Sequence, residues 1–154
     1  MRITVVAVGR LKEPHWRAAA EEYLMRLRPY ATVDVVEVQD RDVTRDESRA
    51  LAEEADAVLK ALPDGALVVA LDRGGKQRDS EEFAAWLDAR GLEGRSHVAF
   101  VVGGAAGLDE RVIKRAEERL SFGKITMPHQ MARVVLLEQL YRAFRISRGE
   151  PYHR

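Results

Sequence analysis

Residues 97–112 read HVAFVVGGAAGLDERV, and the order of these residues decides the fold. His97 to Val102 is a mainly apolar, β-branched run, the pattern of a strand buried on both faces of a parallel sheet. Gly103, Gly104 and Gly107 follow at once, and Asp109 then caps a helix whose inner face is Val112, Ile113 and Ala116. A strand that passes through glycines into a helix is the repeating unit of α/β proteins. Glycine there lets the backbone turn sharply and lets a ligand approach main-chain N–H groups. The spacing is GGxxG and follows the fourth strand, so it matches neither the dinucleotide fingerprint nor a P-loop.

The same unit recurs upstream. Ile3 to Val8 (ITVVAV) is the first strand, and Pro14 opens a helix with Trp16, Ala19, Ala20, Tyr23, Leu24 and Leu27 on one stripe. Val33 to Val38 is the second strand. Leu51, Ala55, Val58, Leu59 and Leu62 mark the next helix, which Pro63-Asp64-Gly65 stops. Ala66 to Leu71 is the third strand. Ser80 is expected to cap a helix with Glu81 and Glu82 in its first turn, Phe83, Trp86 and Leu87 facing inward, and Gly91 after its end. Downstream, Phe122 to Met127 is a candidate fifth strand broken by Pro128, and the last helix runs from about Gln130 to Ser147. The alternation predicts an α/β fold, a parallel sheet flanked by helices on both faces, in one domain spanning 1–154.

The last helix is apolar over an unusually wide arc. Val134, Leu137, Tyr141 and Phe144 form one row and Leu136, Leu140 and Ala143 a second, while Met131, Val135 and Ile146 widen the surface. An apolar arc wider than about 100° needs cover on more than one side. The sheet is expected to cover only one side, and a partner chain is the simplest cover for the rest. A homodimer through this helix is therefore expected, with a neighbouring helix of the same chain as the alternative.

Composition narrows the function. The chain has 154 residues, 46% hydrophobic and 32% charged, with 25 Lys/Arg balancing 25 Asp/Glu. Such a chain is an ordinary soluble globular protein, not a disordered tail, a collagen-like repeat or a histone-like binder. The balance is uneven along the chain: residues 111–154 hold ten basic and four acidic residues, and residues 34–65 hold four and ten. A basic C-terminal third suits a polyanion. There is no cysteine, which excludes disulfides, thiolate metal sites and thiol nucleophiles. The apolar runs are strand-sized, well short of the roughly 20 residues that cross a bilayer. The start, MRITVVAVGR, runs into a strand without a signal-peptide cleavage region, so a cytoplasmic location without membrane attachment is expected.

Few residues carry chemistry on spacing alone. Arg73-Gly74-Gly75-Lys76 fails as a phosphate loop because Gln77 stands where Ser or Thr should bind magnesium. Both glycine clusters lie beyond the C-terminal ends of strands, where open α/β sheets bind ligands, and each suits a ligand loop or an ordinary tight turn equally. No two of His15, His97, His129 and His153 stand at i, i+3 or i, i+4, and no carboxylate cluster completes a ligand set, so no metal site is expected. His15 and His97 read as packing or surface residues, whereas His129 follows Pro128 at the mouth of the last helix. The ending Pro151-Tyr152-His153-Arg154 offers an aromatic, an imidazole and a guanidinium, suited to holding a base. An ordinary frayed terminus is the alternative. Ser121 and Ser147 lack the GxSxG setting of a hydrolase nucleophile.

Two runs, VVGGAAGLDERV (101–112) and LSFGKITMPHQMARVVLLEQLYRAFRISRGEPYHR (120–154), closely resemble the RlmH family of small SPOUT-class methyltransferases. The likeness extends over the whole chain, from MRITVVAVGRLKE to the final YHR. Ala105-Ala106 departs from it, since many relatives carry Pro-Glu or a polar residue there, and no side-chain role is carried over to Ala106. The resemblance implies a sheet whose C-terminal part threads into a trefoil knot, which ordinary topology rules argue against. It also implies a homodimer and S-adenosylmethionine held in the knot mostly by backbone groups. The cofactor contacts carried over are Leu71, Gly103, Phe122, Gly123, Lys124, Ile125, Thr126 and Met127, with Gly104 and Gly107 shaping the loop.

The reaction implied is methylation of N3 of a pseudouridine in the helix 69 loop of 23S ribosomal RNA. Its substrate would be the large ribosomal subunit, on the assembled ribosome or an earlier particle. This chemistry needs no metal; it needs aligned nucleophile, methyl and sulfur, and loss of the N3 proton. By resemblance, His129, Arg142, Tyr152, His153 and Arg154 serve it. Arg142 would stabilise charge or grip phosphate, Tyr152 would stack on the base, and His153 and Arg154 would orient it, with the base catalyst unassigned. Glu138 reads as an ion-pair partner of Arg142 at i, i+4. The rival readings are a SPOUT enzyme acting on transfer RNA, a non-enzymatic RNA-binding module, and a nucleotide-binding α/β domain.

Overall fold

Along the first strand, β1 (Arg2–Val8), Ile3, Val5 and Ala7 turn to one side of the sheet and Val6 and Val8 to the other. All five are buried. A strand covered on both faces has no side for polar residues, hence its nearly continuous apolar sequence. The same division holds in β4 (His97–Val102), where Val98, Phe100 and Val102 enter one core and Ala99 and Val101 the other. The computed structural model describes residues 1–153, so Arg154 of the expected tail lies outside the described residues.

The remaining elements are α1 (Pro14–Leu27), β2 (Thr32–Val38), α2 (Glu47–Ala61), β3 (Leu67–Gln77), α3 (Ser80–Leu92), α4 (Glu110–Arg115), β5 (Glu118–Ser121) and α5 (His129–Ser147). The strands form one parallel sheet in the order β2-β1-β4-β3-β5. One core, with Phe83, Phe100, Leu136 and Leu140, lies beneath α1, α3 and α5; the other, with Ala55, Val58 and Val112, lies beneath α2 and α4. This is the α/β architecture with both faces covered that the alternating pattern predicts.

Some local expectations are corrected. The fifth strand is Glu118–Ser121, and Phe122–Met127 is a loop. The short strand pairs only with β3 at the sheet edge, and its four residues include two charged ones, so no apolar run marks it. Gly123, at φ +109°, breaks the extended backbone just after it. Strand β3 also runs further than expected: Leu71 and Lys76 both pair with Leu120, so the residues between them bulge out. Gly75 is needed there because a Cβ would lie 2.7 Å from the Arg119 carbonyl carbon.

Asp79, not Ser80, caps α3. Its carboxylate accepts from the Glu82 N–H at 2.7 Å, and the Glu82 carboxylate accepts from the Asp79 N–H at 3.2 Å. Ser80 instead donates to Gln139 of α5 at 2.7 Å. Ala116 stands just past α4 as its C-cap, and α5 begins at His129. Neighbouring helices of the same chain, the alternative expected for α5, supply part of its cover. Helices α1 and α3 flank it, and Leu136, Leu137, Leu140 and Ala143 are buried within the chain. Met131 remains 38% exposed, and Val134, Val135 and Tyr141 are half-buried.

Candidate functional site

The glycine loop after β4 closes on itself. The Gly107 N–H donates to the Gly104 carbonyl at 3.1 Å, and Gly107 adopts φ +80°, a conformation that disfavours side chains. Gly103 is tightly enclosed, because a Cβ there would lie 2.6 Å from the Gly107 carbonyl oxygen. Its need for glycine therefore comes from the loop's own backbone rather than from a ligand's space. Gly104 is buried, with Val8 and the Glu54 carboxyl behind it.

A second loop, 122–127, rises beside the first from the end of β5. Ser121 is buried and anchors the turn, accepting from the Gly123 N–H at 3.1 Å. Arg73, in the β3 bulge, donates to the Thr126 hydroxyl at 3.2 Å and ties the loop's far end down. Arg119 in turn holds Asp72 at 2.9 Å.

Between these loops, at the C-terminal ends of β3, β4 and β5, lies a cleft of about 410 Å³. That falls within the usual range for small-molecule sites. Of the ten residues carried over as cofactor contacts or loop formers, nine line it: Leu71, Gly103, Gly104, Gly107, Phe122, Gly123, Ile125, Thr126 and Met127. Lys124 is exposed and stands outside the lining. Ile125, although on the lining, is 80% exposed at the rim. The walls are apolar and the rim is glycine backbone, which suits a ligand with a flat apolar ring and polar edges.

Sequence reasoning missed other lining residues. Asp72 and Arg73 come just after the strand expected at Ala66–Leu71, and Leu108 closes the glycine loop after β4, so the strand-end rule could have found them. Leu120 escaped because the fifth strand was expected later in the chain.

His129 also lines the cleft, at the first residue of α5. Burial, and then the positive charge of Arg133, hold its imidazole below the ordinary value of 6.5. It is thus a neutral imidazole near neutral pH, able to accept a proton. His97 is likewise lowered by burial, but it sits at the opposite end of β4, against the Thr4 hydroxyl at 2.9 Å, and serves packing.

The other expected catalytic residues gather elsewhere. Arg142 donates twice to Glu138 Oε1, at 2.9 and 2.6 Å, so the expected i, i+4 pair is present. Tyr152 packs edge-on to Tyr141, with centroids 4.7 Å apart, beneath the Arg142 guanidinium, and donates to Glu138 at 3.1 Å. Burial, with help from Tyr23 and Glu138, pushes its hydroxyl well above the ordinary value of 10, so it stays protonated. His153 sits between Arg142 and Glu81. Arg142 is 13 positions beyond His129 on one helix, a separation of about 20 Å. None of Arg142, Tyr152 and His153 lines the cleft of its own chain.

Among the described residues no group of three or more His, Asp or Glu is placed to hold a metal ion, and no helix is long and apolar enough to cross a membrane.

Comparison with known proteins gives these features a family. The family described as "Predicted SPOUT methyltransferase" matches residues 1–153. The chain is 50% identical to the ribosomal RNA large subunit methyltransferase H of Listeria monocytogenes (strain EGD-e) and 46% identical to that of Carboxydothermus hydrogenoformans, in both cases over 100% of each chain. Its fold is also similar to a solved structure, that of a probable methylase family protein from Haemophilus influenzae Rd KW20. The TM-score is 0.58 at 15% identity, over 99% of this chain and 70% of that one. The chain therefore belongs to the SPOUT methyltransferases, within the ribosomal RNA large subunit methyltransferase H (RlmH) family.

Proposed function

We propose that this protein is an S-adenosylmethionine-dependent methyltransferase that modifies N3 of a pseudouridine in the helix 69 loop of 23S ribosomal RNA. It would act in the cytoplasm as a homodimer of single, knotted SPOUT domains, on the large subunit of assembled ribosomes. The observation that carries the reading is the convergence of nine carried-over residues on one cleft beside the ends of parallel strands. The names of its full-length relatives support ribosomal RNA as the target.

The residues present fit the cofactor. Leu71, Phe122, Ile125 and Met127 offer apolar walls for an adenine, and the Gly103–Gly107 and Phe122–Met127 backbones offer main-chain donors and acceptors at its edges. When bound, S-adenosylmethionine supplies a methyl group on a sulfonium centre, which is an electrophile without any metal. The chain's own residues then have to position the base and remove its imide proton. His129, neutral and in the cleft, is the residue suited to accept that proton. Tyr152, held protonated, acts as a stacking surface and donor rather than as a base.

The separation of the tail from the cleft of its own chain favours a dimer. A second copy that docks on α5 near Met131 and Val134 would bring its Tyr152 and His153 to the cleft opposite. Here the two copies complete each other's sites.

Methyl transfer from labelled S-adenosylmethionine, assayed on ribosomes, free large subunits and transfer RNA, tests the reading. Label in 23S ribosomal RNA of whole ribosomes is expected. Label confined to transfer RNA, or absent from all three, would overturn it.

A further inference from the structure

A second cleft, of about 570 Å³, opens between α1 and α5 beside the end of β1. Its lining includes Arg10, Lys12, Arg17 and Arg133 against Glu21 and Glu37. Arg133 is 4% exposed and fully engaged, donating to Glu37 at 2.6 Å and to the Gly9 carbonyl at 2.8 Å. That pairing neutralises Glu37 and clamps the start of the β1–α1 loop onto α5. Arg17 donates to the Lys12 carbonyl at 3.2 Å, and to the Leu11 carbonyl, so it steadies the same loop without spending its charge on a carboxylate. Arg10 and Lys12 make no ion pair among the described residues. The cleft thus presents three uncompensated cations against the single carboxylate of Glu21, above an apolar floor of Ala20, Val35 and Leu137. Charge held over low-dielectric walls concentrates a potential that favours anions.

Its position gives the cleft a use. Arg133 follows His129 by one helical turn, so the start of α5 contributes a lining residue to each of the two clefts. We propose that the α1–α5 cleft is a phosphate-binding site for the RNA strand whose base enters the neighbouring cleft, with Arg10 and Lys12 as the contacts to the phosphodiester backbone. This inference rests on the methyltransferase reading and adds how the substrate is gripped. It gives a chain whose 25 basic and 25 acidic residues balance a local cluster of cations with which to hold RNA.

The test is the salt dependence of binding to large ribosomal subunits lacking the modification, for wild type and the Arg10→Gln/Lys12→Gln variant. Each released phosphate contact changes the slope of log K against log salt by about 0.7 on single strands, so the double variant should be shallower by about 1.4. Its KM for subunits should rise more than its kcat falls, and calorimetric affinity for S-adenosylmethionine should be unchanged. An unchanged slope and KM would overturn the proposal. A changed sedimentation mass would also overturn it, since the cleft would then hold a second copy of the chain. Wild type that transfers no methyl to the subunits, while the variant still binds them with a shallower slope, would overturn the methyltransferase reading alone.

Discussion

Arg142 Nη1 lies 3.0 Å from His153 Nδ1, and because a guanidinium has only donors, that ring nitrogen is the acceptor. The other ring nitrogen, Nε2, lies 3.5 Å from Glu81. Together with the Tyr152 hydroxyl on Glu138, these contacts fold the C-terminal tail back onto α5 and α3 in a defined pose. Tyr152 and His153 are thus held in place by side-chain contacts rather than frayed.

Removing Tyr152 to Arg154 should abolish methylation of ribosomes and leave cofactor affinity nearly unchanged, because the described tail residues do not line the cofactor cleft. Arg142→Ala should act in the same direction while costing only about 1 kcal/mol in stability, since its ion pair with Glu138 is partly solvated. Single-turnover assays alongside calorimetry check both. Full activity in the truncated protein would remove the tail from the mechanism.

Gly103→Ala places a methyl group 2.6 Å from the Gly107 carbonyl oxygen, so the loop must shift. A destabilisation of about 1–3 kcal/mol is expected, with weakened S-adenosylmethionine binding. Gly107→Ala meets no atom within 4 Å and carries only the strain of its positive φ. That strain is about 1–2 kcal/mol. Thermal melts with and without cofactor separate the two. Equal cofactor affinity in wild type and Gly103→Ala would show that the loop's shape does not matter for binding.

Much of this was legible in the residues. Strands such as Ile3–Val8 and His97–Val102 stand out because burial on both faces demands apolar runs, and the stripe on α1 because one face alone is buried. Glu118–Ser121 was not legible, because an edge strand of four residues is held by its backbone ladder and shows no apolar run. Which helices share the cover of α5 was also hidden, since periodicity marks how wide an apolar arc is but not which neighbour fills it. The carried-over cofactor residues came from resemblance, and only the strand-end positions of Leu71 and of the Gly103, Gly104 and Gly107 loop had independent support in the pattern. Arg133 takes its place through contacts between segments far apart in sequence, which no local pattern encodes.

Glu54 is 4% exposed behind the glycine loop; one carboxyl oxygen accepts from the Arg41 N–H at 2.8 Å and the other has no partner. Burial raises it above the ordinary 4.5. A carboxyl that holds its proton more tightly when folded stabilises the protein at low pH, and that contribution is lost as pH rises through the raised value. Glu54→Gln stays neutral and keeps an acceptor for Arg41. Its melting temperature relative to wild type should therefore increase between about pH 4 and about pH 8. A difference that does not vary with pH would contradict this.

His129, lowered by burial and by Arg133, should give an acidic limb in kcat/KM with its midpoint below 6.5. His129→Asn should lose that limb and about 10²-fold or more in kcat, the usual share of a proton acceptor. An unaltered profile would assign proton removal to another group.

The most direct test of the whole account is mass spectrometry of ribosomal RNA from otherwise identical cells with and without this gene. The account predicts one pseudouridine in the helix 69 loop of 23S ribosomal RNA carrying an N3 methyl only when the gene is present. Identical modification of that nucleotide in both strains, or a difference found only in transfer RNA, would contradict it.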